Sequence, residues 1–199
     1  MQGTENRSDV AILWQSLEAI PEPFAKPVFV VVSGLPGSGK SYFCRQLAQR
    51  FPLLILETDR LRKALAPRPS YSAQESARLF EACHLLIEGF LKKGIPLVLD
   101  ATNLVERHRE ILYHISEKAG AKLILVQVDA PPEVVLQRLD GRSQGSDPSD
   151  NSEADIKVYN RMRPSAERIQ RDHFQVDTSN DLTPALDKIM REINRWVRN

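Results

Sequence analysis

Val28-Phe29-Val30-Val31-Val32-Ser33 runs straight into Gly34-Leu35-Pro36-Gly37-Ser38-Gly39-Lys40-Ser41, and these two stretches decide the fold. The first is an unbroken apolar run, the pattern of a strand buried on both faces of a parallel sheet. The second matches the phosphate-binding loop G-x-x-x-x-G-K-[ST] at every fixed position. Tyr42 to Arg50 then carries apolar residues at helical spacing, with no breaker before Pro52. Strand, glycine loop and helix thus follow in the order the motif requires. A glycine turn with a chance lysine would not need that register, so a nucleoside triphosphate site is expected.

The residue types supply the chemistry. Gly34, Gly37 and Gly39 let the backbone wrap so that successive N–H groups face phosphate oxygens. A helix starting near Lys40 adds its positive end to the same anion. Lys40 is expected on the β- and γ-phosphates, and the Ser41 hydroxyl on Mg²⁺. Pro36, Ser38 and Tyr42 are counted with the loop as nucleotide contacts.

Composition fits one α/β domain. The chain has 199 residues, with 27 basic and 26 acidic side chains and a formal charge of +1, so no global attraction to nucleic acid or anionic membrane is expected. Cys44 and Cys83 sit among apolar neighbours and read as packed small hydrophobes rather than a disulfide, metal pair or nucleophile. The four histidines, His84, His108, His114 and His173, show no ligand spacing. No apolar run approaches membrane-spanning length and the polar start is no signal peptide, so a cytoplasmic chain without membrane contact is expected.

Strand patterns recur at 28–33, 53–57, 95–100, 122–128 and 174–177. Helical patterns lie near 8–19, 40–50, 60–66, 72–93, 104–118, 132–141, 153–170 and 182–197. This alternation predicts a doubly wound parallel sheet of five strands with helices on both faces. Residues 1–26 read as a helical extension and 27–199 as the main domain. The polar stretch Gly141 to Ser152, rich in serine and glycine, is bracketed by Arg138, Arg142, Arg161 and Arg163. Read beside a phosphate site, it predicts a lid over about 141–163 rather than a plain surface loop.

Two clusters carry the remaining chemistry. Glu57-Thr58-Asp59-Arg60-Leu61-Arg62 falls where the second strand ends, at the edge where open α/β sheets bind ligands. Asp59 suits a helix N-cap, but a carboxylate three residues before an arginine also suits a phosphotransferase. The carboxylate would take the acceptor hydroxyl's proton and Arg62 would hold the acceptor. Arg60, Lys63 and Arg68 add local positive charge, which suits an anionic acceptor. Asp100-Ala101-Thr102-Asn103 closes the next buried run. Asp100 is placed to orient Mg²⁺, with Thr102 and Asn103 free to cap the helix that follows. Glu106-Arg107-His108-Arg109 reads as a solvated helix face. Ser70-Tyr71 and Phe80 could stack a base or sugar, though aromatics at helical spacing are more often core.

Together with the stretch Val128-Asp129-Ala130-Pro131-Pro132-Glu133-Val134-Val135-Leu136-Gln137-Arg138-Leu139, these motifs resemble the P-loop kinases related to the polynucleotide 5′-hydroxyl kinase domain and the zeta toxins, over about residues 27–178. The resemblance implies a three-layer P-loop NTPase sandwich. It implies that Lys40 and Ser41 bind ATP and magnesium, that Asp59 is the general base and that Arg62 contacts the acceptor. It puts Arg142 on the phosphates and Arg138 near the adenine. Where the phage-type polynucleotide kinases carry an acid, this chain has Ala101, a departure that weakens the carry-over of their substrate though not of their chemistry. The expected activity is ATP- and Mg²⁺-dependent transfer of a phosphoryl group to a hydroxyl of a small molecule or nucleic-acid end. A polynucleotide 5′-kinase proper and a nucleotide-dependent switch are the alternatives. A switch has no use for an acceptor base, so Asp59 with Arg62 separates the two classes.

Overall fold

The computed structural model describes residues 2–143 and 154–198, with side chains from Ser8 to Gly141 and from Ala154 to Arg198. The elements are α1 (Gln2–Gln15), β1 (Val28–Ser33), α2 (Lys40–Ala48), β2 (Leu54–Glu57), α3 (Thr58–Leu65), α4 (Ala73–Lys92) and β3 (Leu97–Asp100). There follow α5 (Glu106–Lys118), β4 (Lys122–Asp129), α6 (Pro132–Ser143), α7 (Ile156–Met162), a 3₁₀ turn (Arg163–Ser165), β5 (Phe174–Asp177) and α8 (Thr183–Arg198). All five strands are parallel, in the order β2-β3-β1-β4-β5.

The apolar run of β1 is explained by what covers it. Phe29 and Val31 join a core with α1, α3, α4 and α5 on one face. Val28, Val30 and Val32 join a second core with α2 and α8 on the other. A strand covered on both faces has no polar side to show, so alternation disappears. Burying each such side chain fully contributes roughly 1.5–3 kcal/mol relative to leaving it exposed. Cys44 and Cys83 are buried in opposite cores, so the sheet lies between them and no disulfide can join them.

Register brings the carboxyl ends of three strands together. Asp100 pairs with Val32 of β1 on one side and with Glu57 of β2 on the other. The phosphate loop, the start of α3 and the loop after β3 therefore share one edge, where α/β sheets take ligands.

Three helices differ from the sequence pattern. Helix α1 spans Gln2–Gln15 rather than 8–19, and stops where Ser16 Oγ donates to the Leu13 carbonyl. Its Leu13 is fully buried in the α1–α3–α4–α5 core. Helix α7 ends at Met162, and after the 3₁₀ turn the chain is non-helical through His173, just before β5. Pro164 contributes to the stop, since it has no N–H to donate to the carbonyl four residues back, although Arg163 before it still keeps right-handed helical backbone (φ −52°, ψ −45°). Helix α5 starts at Glu106 with Val105 at its N-cap and no side-chain cap, so Thr102 and Asn103 do not cap it. Asn103 instead adopts φ 45° and donates from Nδ2 to the Val32 carbonyl at 2.7 Å.

Arg109, expected on a solvated face, is fully buried. Its Nε donates to Glu106 Oε2 at 2.7 Å and its Nη1 to the Asn103 carbonyl at 2.6 Å. Nη2 donates to the carbonyls of Glu167 and Arg168 at 3.0 and 3.1 Å. The guanidinium replaces a helix in holding the 166–169 segment against the loop after β3.

Candidate functional site

The loop begins where β1 ends. Gly34 N–H donates to the Thr102 carbonyl at 3.0 Å and Ser33 Oγ to the Asn103 carbonyl at 3.0 Å. A Cβ on Gly34 would run into the Val128 carbonyl oxygen, so this first position must be glycine. Gly39 is the N-cap of α2 at φ 87°, with no side-chain cap and no acidic residue in the first turn. The opening amides of α2 are thus left for an anion. Lys40 Nζ donates back to the Leu35 carbonyl at 3.1 Å.

A cavity of about 440 Å³ opens above this loop. Its lining includes Pro36, Gly37, Gly39, Lys40 and Ser41 of the phosphate loop and the start of α2, with Glu57, Thr58, Asp59, Asp100, Ala101 and Thr102 from the ends of β2 and β3 and the residues that follow them. Arg62, Tyr71, Ser76 and Phe80 also line it, as do Ala154, Val158, Arg161 and Met162. Tyr42 is half exposed and is not among the lining residues.

Asp100 is almost fully buried, and its Oδ2 has no hydrogen-bond partner among the described residues. Burial pushes its carboxyl above the ordinary value; the Lys40 charge and a hydrogen bond from Ser41 oppose this, while the Asp59 charge adds to it. A buried, unpartnered carboxylate oxygen beside a serine hydroxyl fits Mg²⁺, which takes few protein oxygens and completes its shell with water and phosphate.

Asp59 stands in the first turn of α3, one residue beyond Thr58, while Glu57 holds the N-cap position without a capping hydrogen bond from its side chain. The capping reading of Asp59 is therefore set aside. Thr58 Oγ1 donates to the Asp100 carbonyl at 3.2 Å and fixes the start of α3 against β3. Asp59 and Arg62 face the same cavity from one side of this helix.

Arg62 is nearly buried. Its Nη1 donates to Glu75 Oε1 at 2.6 Å, its Nη2 to Ser76 Oγ at 3.3 Å, and its guanidinium lies 4.9 Å from the Tyr71 ring centre. Nε is buried without a partner among the described residues. Glu75 Oε2 accepts from Ser70 N and Oγ at 2.6 and 2.8 Å, beside Tyr71 at φ 53°. The Ser70 amide, and then Arg62, hold the Glu75 carboxyl down at about 2, from an ordinary 4.5. Between those values the unfolded chain binds more protons than the folded one, so the stabilisation that the Ser70 amide and Arg62 together give this carboxylate is present above pH 4.5 and is lost as pH falls through about 2. Acid-unfolding titrations should show Glu75→Gln losing that part of the pH slope, and an unchanged slope would refute the stabilisation of this carboxylate by Ser70 and Arg62.

Of the cations grouped on the acceptor side, only Arg62 reaches the cavity. Arg60 turns to α1 and donates to Glu18 Oε1 at 2.8 Å and to the Ser16 carbonyl; Lys63 and Arg68 are not among the lining residues. Of the arginines bracketing the polar stretch, Arg161 lines the cavity and has no hydrogen-bond or ion-pair partner among the described residues, while Arg163, in the 3₁₀ turn, is not among the lining residues. The Arg142 side chain and residues 144–153, the centre of the expected lid, lie outside the described residues. Arg138 donates to Thr178 Oγ1 at 2.8 Å, to the Thr178 carbonyl at 2.9 Å and to the Gly37 carbonyl at 3.4 Å, which puts it against the outer side of the phosphate loop. Sequence reading does not single out Thr178, although its place directly after β5 is the strand-end position where such residues gather.

A parallel β2-β3-β1-β4-β5 sheet with a glycine loop closing on a helix N-terminus defines a P-loop kinase fold. A family model described as an AAA domain (AAA_33) matches residues 29–169, and the chain belongs to this family of P-loop kinase domains. It is similar to adenylate kinase isoenzyme 1 of Rattus norvegicus, 30% identical over 142 residues that cover 67% of this chain and 72% of that one. It is also similar to the L-seryl-tRNA(Sec) kinase of Methanococcus maripaludis, 23% identical over 59% of this chain but only 47% of that enzyme. Among solved structures, the Mycobacterium tuberculosis APS kinase CysC in complex with AMPPNP and APS superposes with a TM-score of 0.63. It is 17% identical, covering 87% of this chain and 99% of that one, and shows the shared fold. Among the described residues no helix is long and apolar enough to cross a membrane.

Proposed function

We propose that this protein is an ATP- and Mg²⁺-dependent kinase that moves the γ-phosphoryl group to a hydroxyl of a small molecule. The observation that carries this reading is the meeting of Lys40, Ser41 and Asp100 with Asp59 and Arg62 around one cavity. Its two named relatives differ in acceptor, an adenylate in one case and a seryl-tRNA in the other. Proton chemistry separates these choices. A phosphate acceptor is already ionised at neutral pH, whereas a hydroxyl must lose a proton as it attacks, and a carboxylate such as Asp59 is the group to take it.

In this scheme the loop amides and Lys40 hold the triphosphate. Ser41 and Asp100 would hold Mg²⁺, which would offset negative charge on the triphosphate. The acceptor oxygen forms a bond to the γ-phosphorus while its proton passes to Asp59. The bond from that phosphorus to the β,γ-bridging oxygen breaks, and ADP leaves. Arg62, held by Glu75, shapes the acceptor end together with Tyr71 and Phe80. Arg161 offers its positive charge to the transferring group; Arg142 is assigned there on the family resemblance alone.

The pairing of Arg60 with Glu18 and of Arg62 with Glu75 leaves little positive charge on this side for a polyanion, which favours a small acceptor over a nucleic-acid end. The test is ADP release from ATP and Mg²⁺ across 5′-hydroxyl oligonucleotides, nucleosides, sugars and amino-alcohols. Stimulation by a small hydroxyl compound, with a phosphorylated product, supports the proposal. Stimulation by oligonucleotides alone, or slow hydrolysis indifferent to every acceptor, refutes it and favours a polynucleotide kinase or a switch respectively.

A further inference from the structure

We propose that Thr178 is a positioning residue for triphosphate binding, and that Arg138 acts on the phosphate loop through it. The inference concerns the loop and holds whatever the acceptor is. Thr178 is buried at the carboxyl end of β5, far in sequence from the loop it touches. Its Oγ1 donates to the Ser38 carbonyl at 2.7 Å, and the same oxygen accepts from Arg138 Nη1 at 2.8 Å. Arg138 is held in place by the Thr178 carbonyl, and reaches the Gly37 carbonyl as well. A single hydroxyl therefore joins α6 and β5 to the turn of the loop.

The physical consequence lies in the Ser38–Gly39 peptide. That bond is trans and planar, as no cis peptide is present among the described residues, so its C=O and N–H point in opposite directions. Fastening the Ser38 carbonyl outward onto Thr178 turns the Gly39 N–H inward, toward the cavity that Gly39 lines. Polarisation by Arg138 makes the Thr178 hydroxyl a stronger donor. Without the hydroxyl, nothing else among the described contacts of that carbonyl holds the peptide in this sense. Gly39 packs against the same residue, since a Cβ there would come within 2.8 Å of Thr178 Oγ1. The loop and Thr178 are fitted to each other on both the polar and the steric count.

A purely base-contacting role for Arg138 makes a different prediction, because it would act only on ligands that carry a base. Equilibrium titration of the full chain with Mg·ATP and with Mg·tripolyphosphate, which has no base, separates the two. Thr178→Val should weaken both ligands by a similar factor, about tenfold for one lost orienting hydrogen bond. Thr178→Ser, which keeps the hydroxyl, should restore both. Arg138→Met should weaken tripolyphosphate as well as ATP, and the double variant should be no weaker than the worse single one. The proposal is overturned if Thr178→Val leaves tripolyphosphate within about twofold of the unsubstituted protein. It is equally overturned if Thr178→Ser fails to rescue, if Arg138→Met weakens ATP alone, or if the unsubstituted chain does not bind tripolyphosphate. Should Thr178→Val not fold, the serine and Arg138→Met variants decide the matter on the same two ligands.

Discussion

In an Asp59→Asn variant, kcat for acceptor phosphorylation falls by about 10²–10⁴-fold while ATP still binds. Asparagine keeps the size and the place of the side chain in the first turn of α3, but cannot take a proton from an attacking hydroxyl. Since Asp59 does not cap its helix, the substitution should also leave α3 intact. The measurement is steady-state turnover with the best acceptor from the panel, alongside the equilibrium affinity for Mg·ATP. An unchanged kcat would remove Asp59 from the chemistry and return the switch reading to the front. A loss of ATP affinity equal to the loss of turnover would mean that the carboxylate serves the nucleotide rather than the acceptor.

Arg109→Met should lower folding stability by about 3–5 kcal/mol, the range for removing one partner of a buried ion pair. The substitution leaves the Glu106 carboxylate without its buried cation and strips hydrogen bonds from the carbonyls of Asn103, Glu167 and Arg168. Methionine fills much of the space, so the effect belongs to the polar network more than to a cavity. Denaturant unfolding monitored by circular dichroism reads it directly. Arg107→Met, on the exposed face of the same helix, should change stability by less than about 0.5 kcal/mol and serves as the control. A cost below about 1 kcal/mol for Arg109→Met would show that solvent or rearranged side chains satisfy those carbonyls equally well.

The placement of these residues in the fold is legible in the sequence for some and not for others. Residues 28–41 are legible because their requirements are local: an apolar run for a strand covered on both faces, glycines where the backbone turns or is crowded, and a lysine and serine at the start of a helix. The position of Asp59 and Asp100 at the carboxyl edge of the sheet is legible because each follows or closes a strand. Arg109 escapes such reading because its neighbours Arg107 and His108 are exposed, and a charged run does not reveal which member turns inward. The four cations Arg60, Arg62, Lys63 and Arg68 look alike in sequence, and only the fold turns Arg60 to Glu18 and Arg62 to Glu75.

The sequence alone determined the order of strands and helices, the phosphate loop and the carboxylates at the strand ends, because hydrogen bonding and backbone geometry over a few consecutive residues dictate them. Tertiary structure decided which surfaces meet. The sheet order β2-β3-β1-β4-β5 brings residues 57–62, 71–80, 101–102 and 154–162 around one cavity, and sets Thr178 against Ser38. No local pattern encodes those meetings, since each depends on two segments being packed against the same core from different parts of the chain.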